Sequence, residues 1–188
     1  MASEEIQVID NYLPQQDFLK LQEFFENHLM WQFSPFVTNN PLQGKTPRDD
    51  EFQFVHIFYY PNKGVVSQRV DQITPLVNKL VPRILVRIKA NLNTRTDHIV
   101  QRDWHVDYDL GNKTAIYYVN TNDGYTAFES GEKVESVANR IVIFDGHKRH
   151  AGTTCTNHKQ RIVLNLNYFP YDQLSWDLEQ QEMINHAK

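Results

Sequence analysis

The sequence predicts a mainly β protein with flanking helices, in which a jelly-roll barrel is buttressed by N-terminal helices. Two observations support this fold class. Apolar residues recur every three to four positions near the N-terminus, which is the period of a one-sided helix. From residue 83 onward, short strand-like segments separated by turn residues replace that period, as is typical of sandwiches and barrels. A length of 188 residues without a repeat or a flexible linker predicts one domain over residues 1–188.

The N-terminal part of this domain, residues 1–82, is predicted to combine helices with one strand. Pro14 suits the first turn of a helix whose apolar positions continue to Leu29. Pro75 breaks or restarts a second helix. The predicted ranges are residues 14–29 and 67–80 for the helices, 52–60 for the strand and 39–50 for a mobile loop rich in turn residues.

The jelly-roll core is predicted over residues 83–170 and is followed by a polar C-terminal helix over residues 172–188. The alternation of apolar and polar residues identifies its strands. The predicted strands are residues 83–93, 102–107, 114–120, 126–129, 133–137, 139–144, 150–154 and 161–169.

Composition excludes several classes of protein. Hydrophobic residues make up 40% and charged residues 22%, which argues against disorder. The apolar runs, such as residues 141–144, are far too short to span a bilayer, and no signal-peptide pattern opens the chain. Cys155 is the single cysteine, so no intrachain disulfide can form. We therefore expect a cytoplasmic protein that is independent of membranes.

Charge is distributed unevenly around a formal net charge of −4. The first 30 residues are acidic, whereas residues 79–102 carry six bases against one acid. The basic segment could meet phosphates, but the overall acidity gives nucleic-acid binding no support. We favour the reading of a solvated basic sheet face balanced by acidic helices.

The most informative motif is a histidine and an aspartate two residues apart. Residues i and i+2 of a strand point to one side, so His105 and Asp107 present an imidazole and a carboxylate together. A second histidine from a later strand would complete the two-histidine, one-carboxylate arrangement of non-heme Fe(II) oxygenases. His150 is favoured for this role, and His147, three residues earlier, is the alternative.

The last predicted strand adds a site for an anion. Arg161 heads a polar face that continues through Asn165 and Asn167, while the opposite face is apolar. Arginine is suited to holding a planar carboxylate through paired hydrogen bonds. Tyr118, on the strand over residues 114–120, would add a phenolic donor to the same carboxylate.

These motifs together resemble the Fe(II)- and 2-oxoglutarate-dependent oxygenases, most closely their prolyl 4-hydroxylase-like branch. The resemblance covers residues 83–169 and includes His105, Asp107, the turn over residues 123–128, His150 and Arg161 in the family's order. Two positions depart from the pattern: Asp123 replaces a glycine of that turn, and Arg161 stands where many collagen-type members have lysine.

The resemblance implies a double-stranded β-helix, or cupin-like, core and a specific set of site residues. His105, Asp107 and His150 would be the catalytic iron ligands. Arg161 and Tyr118 would hold the distal carboxylate of 2-oxoglutarate, with Asn91 and Asn165 lining its pocket. The implied cofactors are Fe(II), 2-oxoglutarate as co-substrate and O₂, with ascorbate as a supporting reductant. Related halogenases lack the carboxylate, so Asp107 favours hydroxylation.

Three hypotheses for the substrate stay open at the level of sequence. The branch resemblance implies a prolyl residue of a peptide or protein, with the loop over residues 39–50 folding over it. The basic segment keeps a nucleobase or small metabolite open, although Asn167 replaces the second arginine of oxidative nucleic-acid dealkylases. The third hypothesis is a non-catalytic jelly-roll binding protein, which the survival of every ligand type argues against.

Overall fold

The computed structural model describes residues 6–37 and 51–171 and places two helical segments against an antiparallel β structure. Strands dominate these ranges, in agreement with the predicted fold class. The strands are β1 Gln7–Ile9, β2 Gln32–Ser34, β3 Gln53–Tyr60, β4 Gly64–Val65, β5 Pro82–Thr94, β6 Lys113–Tyr118, β7 Tyr125–Phe128, β8 Lys133–Glu135, β9 Arg140–Asp145, β10 His150–Gly152 and β11 Gln160–Pro170.

The helices form where the sequence predicts them, with local irregularities. Helix α1 spans Gln15–Glu23, directly after Pro14, and continues as a π-helical turn over Phe24–His28. A 3-10 turn over Val70–Ile73 leads into α2, Thr74–Leu80. Pro75 lies in the first turn of α2, where its missing N–H leaves no helical hydrogen bond unmade. None of the helices in the described ranges is long and apolar enough to cross a membrane.

The strands form two sheets that enclose the region of the predicted site. The larger sheet has the order β1-β9-β6-β11-β5-β3-β2, and the smaller one has the order β10-β7-β8. The helices and one face of the larger sheet share an apolar core that includes Phe25, Ile88 and Leu164. A second cluster, which includes Tyr118, lies between the two sheets. The alternate residues of β5 and β11 on that inner face are therefore available to line a cavity.

One predicted strand is wrong. Residues 102–107 form no regular strand, and this part of the chain pairs with the β10 region only through two isolated bridges, Gln101 to Thr153 and His105 to His150. The two bridges are four residues apart in the segment from Gln101 to His105 and three residues apart in the segment from His150 to Thr153. This shift of one residue interrupts the ladder, as a β-bulge does.

Other predicted boundaries differ from the structure by one to a few residues at strand ends. Strands β1, β2 and β4 were not predicted, because segments of two or three residues are too short to show alternation. The predicted loop over residues 39–50 and the predicted helix over residues 172–188 lie outside the described residues.

Candidate metal and carboxylate site

Two histidines are paired through their backbones at the edge of the smaller sheet. The amide N of His105 donates to the carbonyl of His150, and the amide N of His150 donates to the carbonyl of His105, both over 3.0 Å. The ring centroids lie 4.6 Å apart. His150 is 2% exposed because Phe128 and Phe144 pack around its ring. The bridge therefore fixes both rings side by side.

Asp107 completes a compact group of three metal-ligand types. Its Oδ1 lies 3.9 Å from His105 Nε2, and its Oδ2 lies 4.0 Å from His150 Nε2. One ligand atom from each residue lies within 4.8 Å of the others. These separations leave room for an ion among the three atoms.

Hydrogen bonds fix which nitrogen of each ring faces the centre of the group. His105 Nδ1 lies 3.1 Å from the carbonyl of Asp103, and His150 Nδ1 lies 3.1 Å from the carbonyl of Lys148. A carbonyl oxygen only accepts, so Nδ1 of each ring carries a proton and Nε2 is the nitrogen that faces Asp107. Burial and the neighbouring His105 lower the pKa of His150 to about 4, although Asp107 opposes this effect. The His150 imidazole is therefore neutral at physiological pH.

The Asp107 carboxylate is surrounded by donors from the larger sheet. Arg87 Nη2 lies 2.8 Å from Oδ1 as an ion pair, outside hydrogen-bond geometry. The amides of Asn165 and Asn167 donate to Oδ2 over 2.6 and 3.3 Å. Burial would raise the pKa of Asp107, but Arg87 and the two histidines hold it far below the ordinary value. Asp107 is thus an anion throughout the physiological range.

Arg161 lies fully inside the protein beside Tyr118. Its Nε donates to Ser136 Oγ over 2.7 Å, and its Nη2 donates to Thr126 Oγ1 over 3.2 Å. The Tyr118 hydroxyl donates to the same Thr126 oxygen over 2.9 Å. A Cβ added at Gly152, two residues after His150, would lie 3.6 Å from Arg161 Nη1. The guanidinium therefore lies next to the short strand that carries His150.

The two asparagines that were expected in the co-substrate pocket have different surroundings. Asn165 donates to Asp107, so its amide contacts the metal-ligand carboxylate rather than Arg161. Asn91 lies opposite Val163 of β11. The Oδ1 atoms of Asn91 and Asn165 are both buried without a hydrogen-bond partner among the described residues. Both residues thus leave acceptors available on the inner face of the larger sheet.

The turn after β6 brings small residues against Arg161. A Cβ at Gly124 would lie 2.6 Å from both Arg161 Cδ and the carbonyl oxygen of Thr154, so only glycine fits there. Asp123 sits beside it in an exposed position and accepts hydrogen bonds from the amide and hydroxyl of Thr156. The aspartate that departs from the family turn therefore ties this turn to the loop before β11.

The remaining candidate histidine and the cysteine take no part in this site. His147 is exposed, and it is not a member of the three-residue group that contains His150. His56 is bonded through its two ring nitrogens to the carbonyl of Met30 and the hydroxyl of Ser67. Cys155 is buried, and burial raises the pKa of its thiol.

Sequence reasoning missed four contributors to the site. Arg87 and Asn167 were not expected to contact Asp107, and Thr126 and Ser136 were not assigned to the Arg161 pocket. For Arg87, the available signal was that Arg87 and Lys89 are two residues apart and so share one face of the predicted strand over residues 83–93. The contacts themselves depend on the register that places Asn167 opposite Arg87.

Comparison with known proteins identifies the fold. No family model matches the chain, and no curated protein sequence matches it. An oxidoreductase of the 2OG-Fe(II) oxygenase family from Burkholderia pseudomallei superposes with a TM-score of 0.63 at 12% identity, covering 89% of this chain and 86% of that one. This chain has the fold of the 2OG-Fe(II) oxygenases.

Two further structures show what proteins with this oxygenase fold have been found to hold. A prolyl hydroxylase from Trichoplax adhaerens, solved with a hypoxia inducible factor peptide, has a TM-score of 0.56 at 11% identity and covers 89% of this chain and 84% of that one. HygX from Streptomyces hygroscopicus, solved with nickel, 2-oxoglutarate and hygromycin B, has a TM-score of 0.54 at 12% identity over 89% and 84%. At these identities the likeness is one of fold, and it confirms the predicted jelly-roll architecture.

Proposed function

We propose that the protein is an Fe(II)- and 2-oxoglutarate-dependent dioxygenase that hydroxylates a C–H bond and releases succinate and CO₂. One observation carries this proposal. Asp107, which groups with His105 and His150, accepts a hydrogen bond from Asn165. Asn165 and the buried Arg161 lie on the same face of β11. A metal centre next to a carboxylate-binding guanidinium is what binding of 2-oxoglutarate at iron requires.

The three proposed ligands fit a divalent iron. Two imidazoles and one ionised carboxylate supply two nitrogens and one oxygen, the ligand set of non-heme Fe(II) oxygenases with positions left open. The Nδ1 hydrogen bonds of His105 and His150 fix both rings with Nε2 toward the ion. Asp107 is held in place by Asn165 before any ion arrives.

The Arg161 pocket fits the distal carboxylate of 2-oxoglutarate. The guanidinium is 2% exposed, and among the described residues its hydrogen bonds go to the hydroxyls of Ser136 and Thr126. A buried cation without an anionic partner is costly, and burial lowers the pKa of Arg161. A carboxylate bound here would supply the missing charge and accept from Arg161 and Tyr118.

Bound iron and 2-oxoglutarate would supply the oxidising chemistry, and the residues of this chain would position it. His105, Asp107 and His150 would hold the ion, while Arg161 would orient the co-substrate. Asp107 occupies the position that a halide needs in halogenases, so the ligand set favours hydroxylation. Phe128 and Phe144 pack against the His150 ring and exclude water from that side of the site.

We propose a prolyl residue of a peptide or protein as the first substrate to test. This choice is supported by the resemblance of residues 83–169 to the prolyl 4-hydroxylase-like branch and by the oxygenase fold shared with a peptide-bound prolyl hydroxylase. A small polar molecule is the second candidate. The buried amides of Asn165 and Asn167 and the neighbouring Lys89 favour it, because they form a polar wall beside Asp107.

An anaerobic titration with Fe(II) and then 2-oxoglutarate tests the proposed cofactors and site together. Wild-type protein is expected to develop the visible metal-to-ligand charge-transfer band. His150→Ala is expected to lose iron binding, and Arg161→Ala is expected to bind iron but to need far more 2-oxoglutarate. His147→Ala is the matched control and should behave as wild type. Wild-type protein that binds no iron, or that gives no band once iron is bound, would contradict the proposal.

A further inference from the structure

Strand β5 presents two cations to the metal site on consecutive inward positions. Arg87 lies opposite Asn167 of β11, and Lys89 lies opposite Asn165. Both of these asparagines donate to the Asp107 carboxylate. Arg87 and Lys89, here named the cationic strip, therefore border Asp107 directly.

Arg87 is held rigidly in this strip. Its side chain is 4% exposed, it pairs with Asp107, and its guanidinium carbon lies 5.1 Å from the centre of the Tyr108 ring. Its Nε is buried without a hydrogen-bond partner among the described residues. Arg87 thus forms an ion pair with Asp107, and its Nε–H remains available to donate to a bound molecule.

Lys89, unlike Arg87, forms no ion pair within the described residues. It is half-buried, and no residue in the described ranges accepts a hydrogen bond from its ammonium. Burial and the neighbouring Arg87 lower its pKa to about 8, and Asp107 is the one described carboxylate that raises it. A lysine ammonium that lies beside a second cation and has no hydrogen-bond acceptor would be stabilised by a bound anion.

The proposed iron and co-substrate do not supply this anion. The two charges of 2-oxoglutarate balance those of the divalent metal, and Asp107 offsets one of the three inner cations Arg87, Lys89 and Arg161. Arg161 heads β11, whereas Lys89 lies opposite Asn165, four residues or about 13 Å further along the strand. A five-carbon diacid whose distal carboxylate reaches Arg161 therefore holds that carboxylate far from Lys89.

Unpaired acceptors surround the same place. Within residues 6–37 and 51–171, the buried Oδ1 atoms of Asn165 and Asn167 have no hydrogen-bond partner, although the Nδ2 atoms of both residues donate to Asp107. Each such oxygen favours a donor from a bound molecule. The cationic strip and these two oxygens together would bind a molecule that carries an anionic group next to hydrogen-bond donors.

We propose that the primary substrate carries a carboxylate that binds Lys89, and that this contact selects the substrate. The proposal rests on the oxygenase function proposed above and names its substrate class. The anion has two possible sources: an acidic side chain of a peptide or the acidic group of a small molecule. Lys89 then acts in specificity, at the end of the site away from Arg161.

The test measures binding to protein loaded with Mn(II) and 2-oxoglutarate at low ionic strength. One arm uses proline-containing tetrapeptides in which the residue beside proline is Glu or its isostere Gln. The other arm uses free amino acids and hydroxy acids with their uncharged amides. Each pair is measured on wild type, Lys89→Met and Lys89→Arg, with Lys159→Met as a control because Lys159 is exposed and lies outside the site.

In at least one arm, the anion is expected to bind wild type about tenfold more tightly than its uncharged partner. Lys89→Met should abolish this preference, while Lys89→Arg and Lys159→Met keep it. The arm that shows the preference identifies the source of the anion. Equal binding of anion and amide in both arms, absence of binding in both, or a preference that persists in Lys89→Met would overturn the proposal.

A separate readout distinguishes this failure from failure of the oxygenase function. The charge-transfer band of wild-type protein with Fe(II) and 2-oxoglutarate reports on the oxygenase function without involving the primary substrate. A normal band without anion preference would overturn the substrate class alone. A missing band in wild type would overturn the proposed function.

Discussion

Arg87 Nη2 lies 2.8 Å from Oδ1 of Asp107, and the two side chains are 4% and 8% exposed. The proposed metal-ligand carboxylate is thus already paired with a buried guanidinium. Asn165 and Asn167 saturate its other oxygen. In the metal-free protein, Arg87 therefore supplies the charge that a bound cation would otherwise supply to Asp107.

Removing this counter-charge should make folding depend on the metal. Arg87→Met leaves a buried, uncompensated carboxylate, and we expect the metal-free protein to lose about 3–5 kcal/mol of unfolding free energy. Mn(II) should restore more stability to this variant than it adds to wild type, because the ion then replaces the ion-pair partner that Asp107 has lost. Urea unfolding with and without Mn(II) measures both effects.

A surface ion pair provides the control for Arg87→Met. Lys113 pairs with Asp145 at the protein surface, and Lys113→Met should cost less than about 1 kcal/mol with no dependence on Mn(II). Equal Mn(II) stabilisation of wild type and Arg87→Met would show that Arg87 does not serve as a substitute for the metal charge.

Lys89 should lower the stability of the metal-free protein at neutral pH. Its pKa is lowered from 10.5 to about 8, so the folded chain disfavours the ammonium that the unfolded chain carries. Lys89→Met is therefore expected to be more stable than wild type at pH 7, by up to about 3 kcal/mol. The gain should be complete below pH 8, fall as the pH rises, and vanish only above pH 10.5, where both states of wild type hold neutral lysine.

Urea unfolding of wild type and Lys89→Met at pH 7, 9 and 10.5 measures this dependence. Lys159→Met, at an exposed position, should change stability little at any of these pH values. A Lys89→Met variant that is no more stable than wild type at pH 7, or a gain that does not change with pH, would contradict the assigned burial cost.

The hydroxyl of Thr126 should matter for 2-oxoglutarate but not for iron. It accepts from both Tyr118 and Arg161, so it fixes the two proposed carboxylate donors relative to each other. Thr126→Val keeps the shape and removes the acceptor. We expect the Kd for 2-oxoglutarate to rise at least about tenfold, because the lost bond involves a charged donor.

Iron affinity provides the internal comparison for Thr126→Val and should equal that of wild type. The matched control is Thr74→Val, at an exposed helix position remote from the sheets' inner faces. A wild-type Kd for 2-oxoglutarate in Thr126→Val would show that Tyr118 and Arg161 need no common acceptor.

The local part of the site could be predicted from the sequence, and the long-range part could not. His105 and Asp107 are two residues apart, and Arg161 begins an alternating strand, so residue type and spacing identify these candidates although residues 102–107 form no regular strand. Arg87 reaches Asp107 only because β5 pairs with β11 in a register that sets Arg87 opposite Asn167. A slip of one residue would turn Arg87 to the other face, and register cannot be derived from composition or spacing.

The same distinction explains the error in the fold prediction. Residues 102–107 alternate as a strand does. However, the segment from Gln101 to His105 has one residue more than the segment from His150 to Thr153 with which it pairs. A bulge depends on the partner strand, which the sequence of the segment itself does not reveal. The long strands β5 and β11 were found because their alternation extends over many residues.

Gly124 provides a steric test of the Arg161 pocket. A Cβ at this position would lie 2.6 Å from Arg161 Cδ and 2.6 Å from the Thr154 carbonyl oxygen, and the backbone atom cannot easily move. Gly124→Ala is therefore expected to displace Arg161, to cost about 1–3 kcal/mol of unfolding free energy and to raise the Kd for 2-oxoglutarate. Gly152→Ala is the comparison for stability, since its Cβ would meet Arg161 at an ordinary 3.6 Å. Similar unfolding free energies for Gly124→Ala, Gly152→Ala and wild type would show that this turn does not confine the guanidinium.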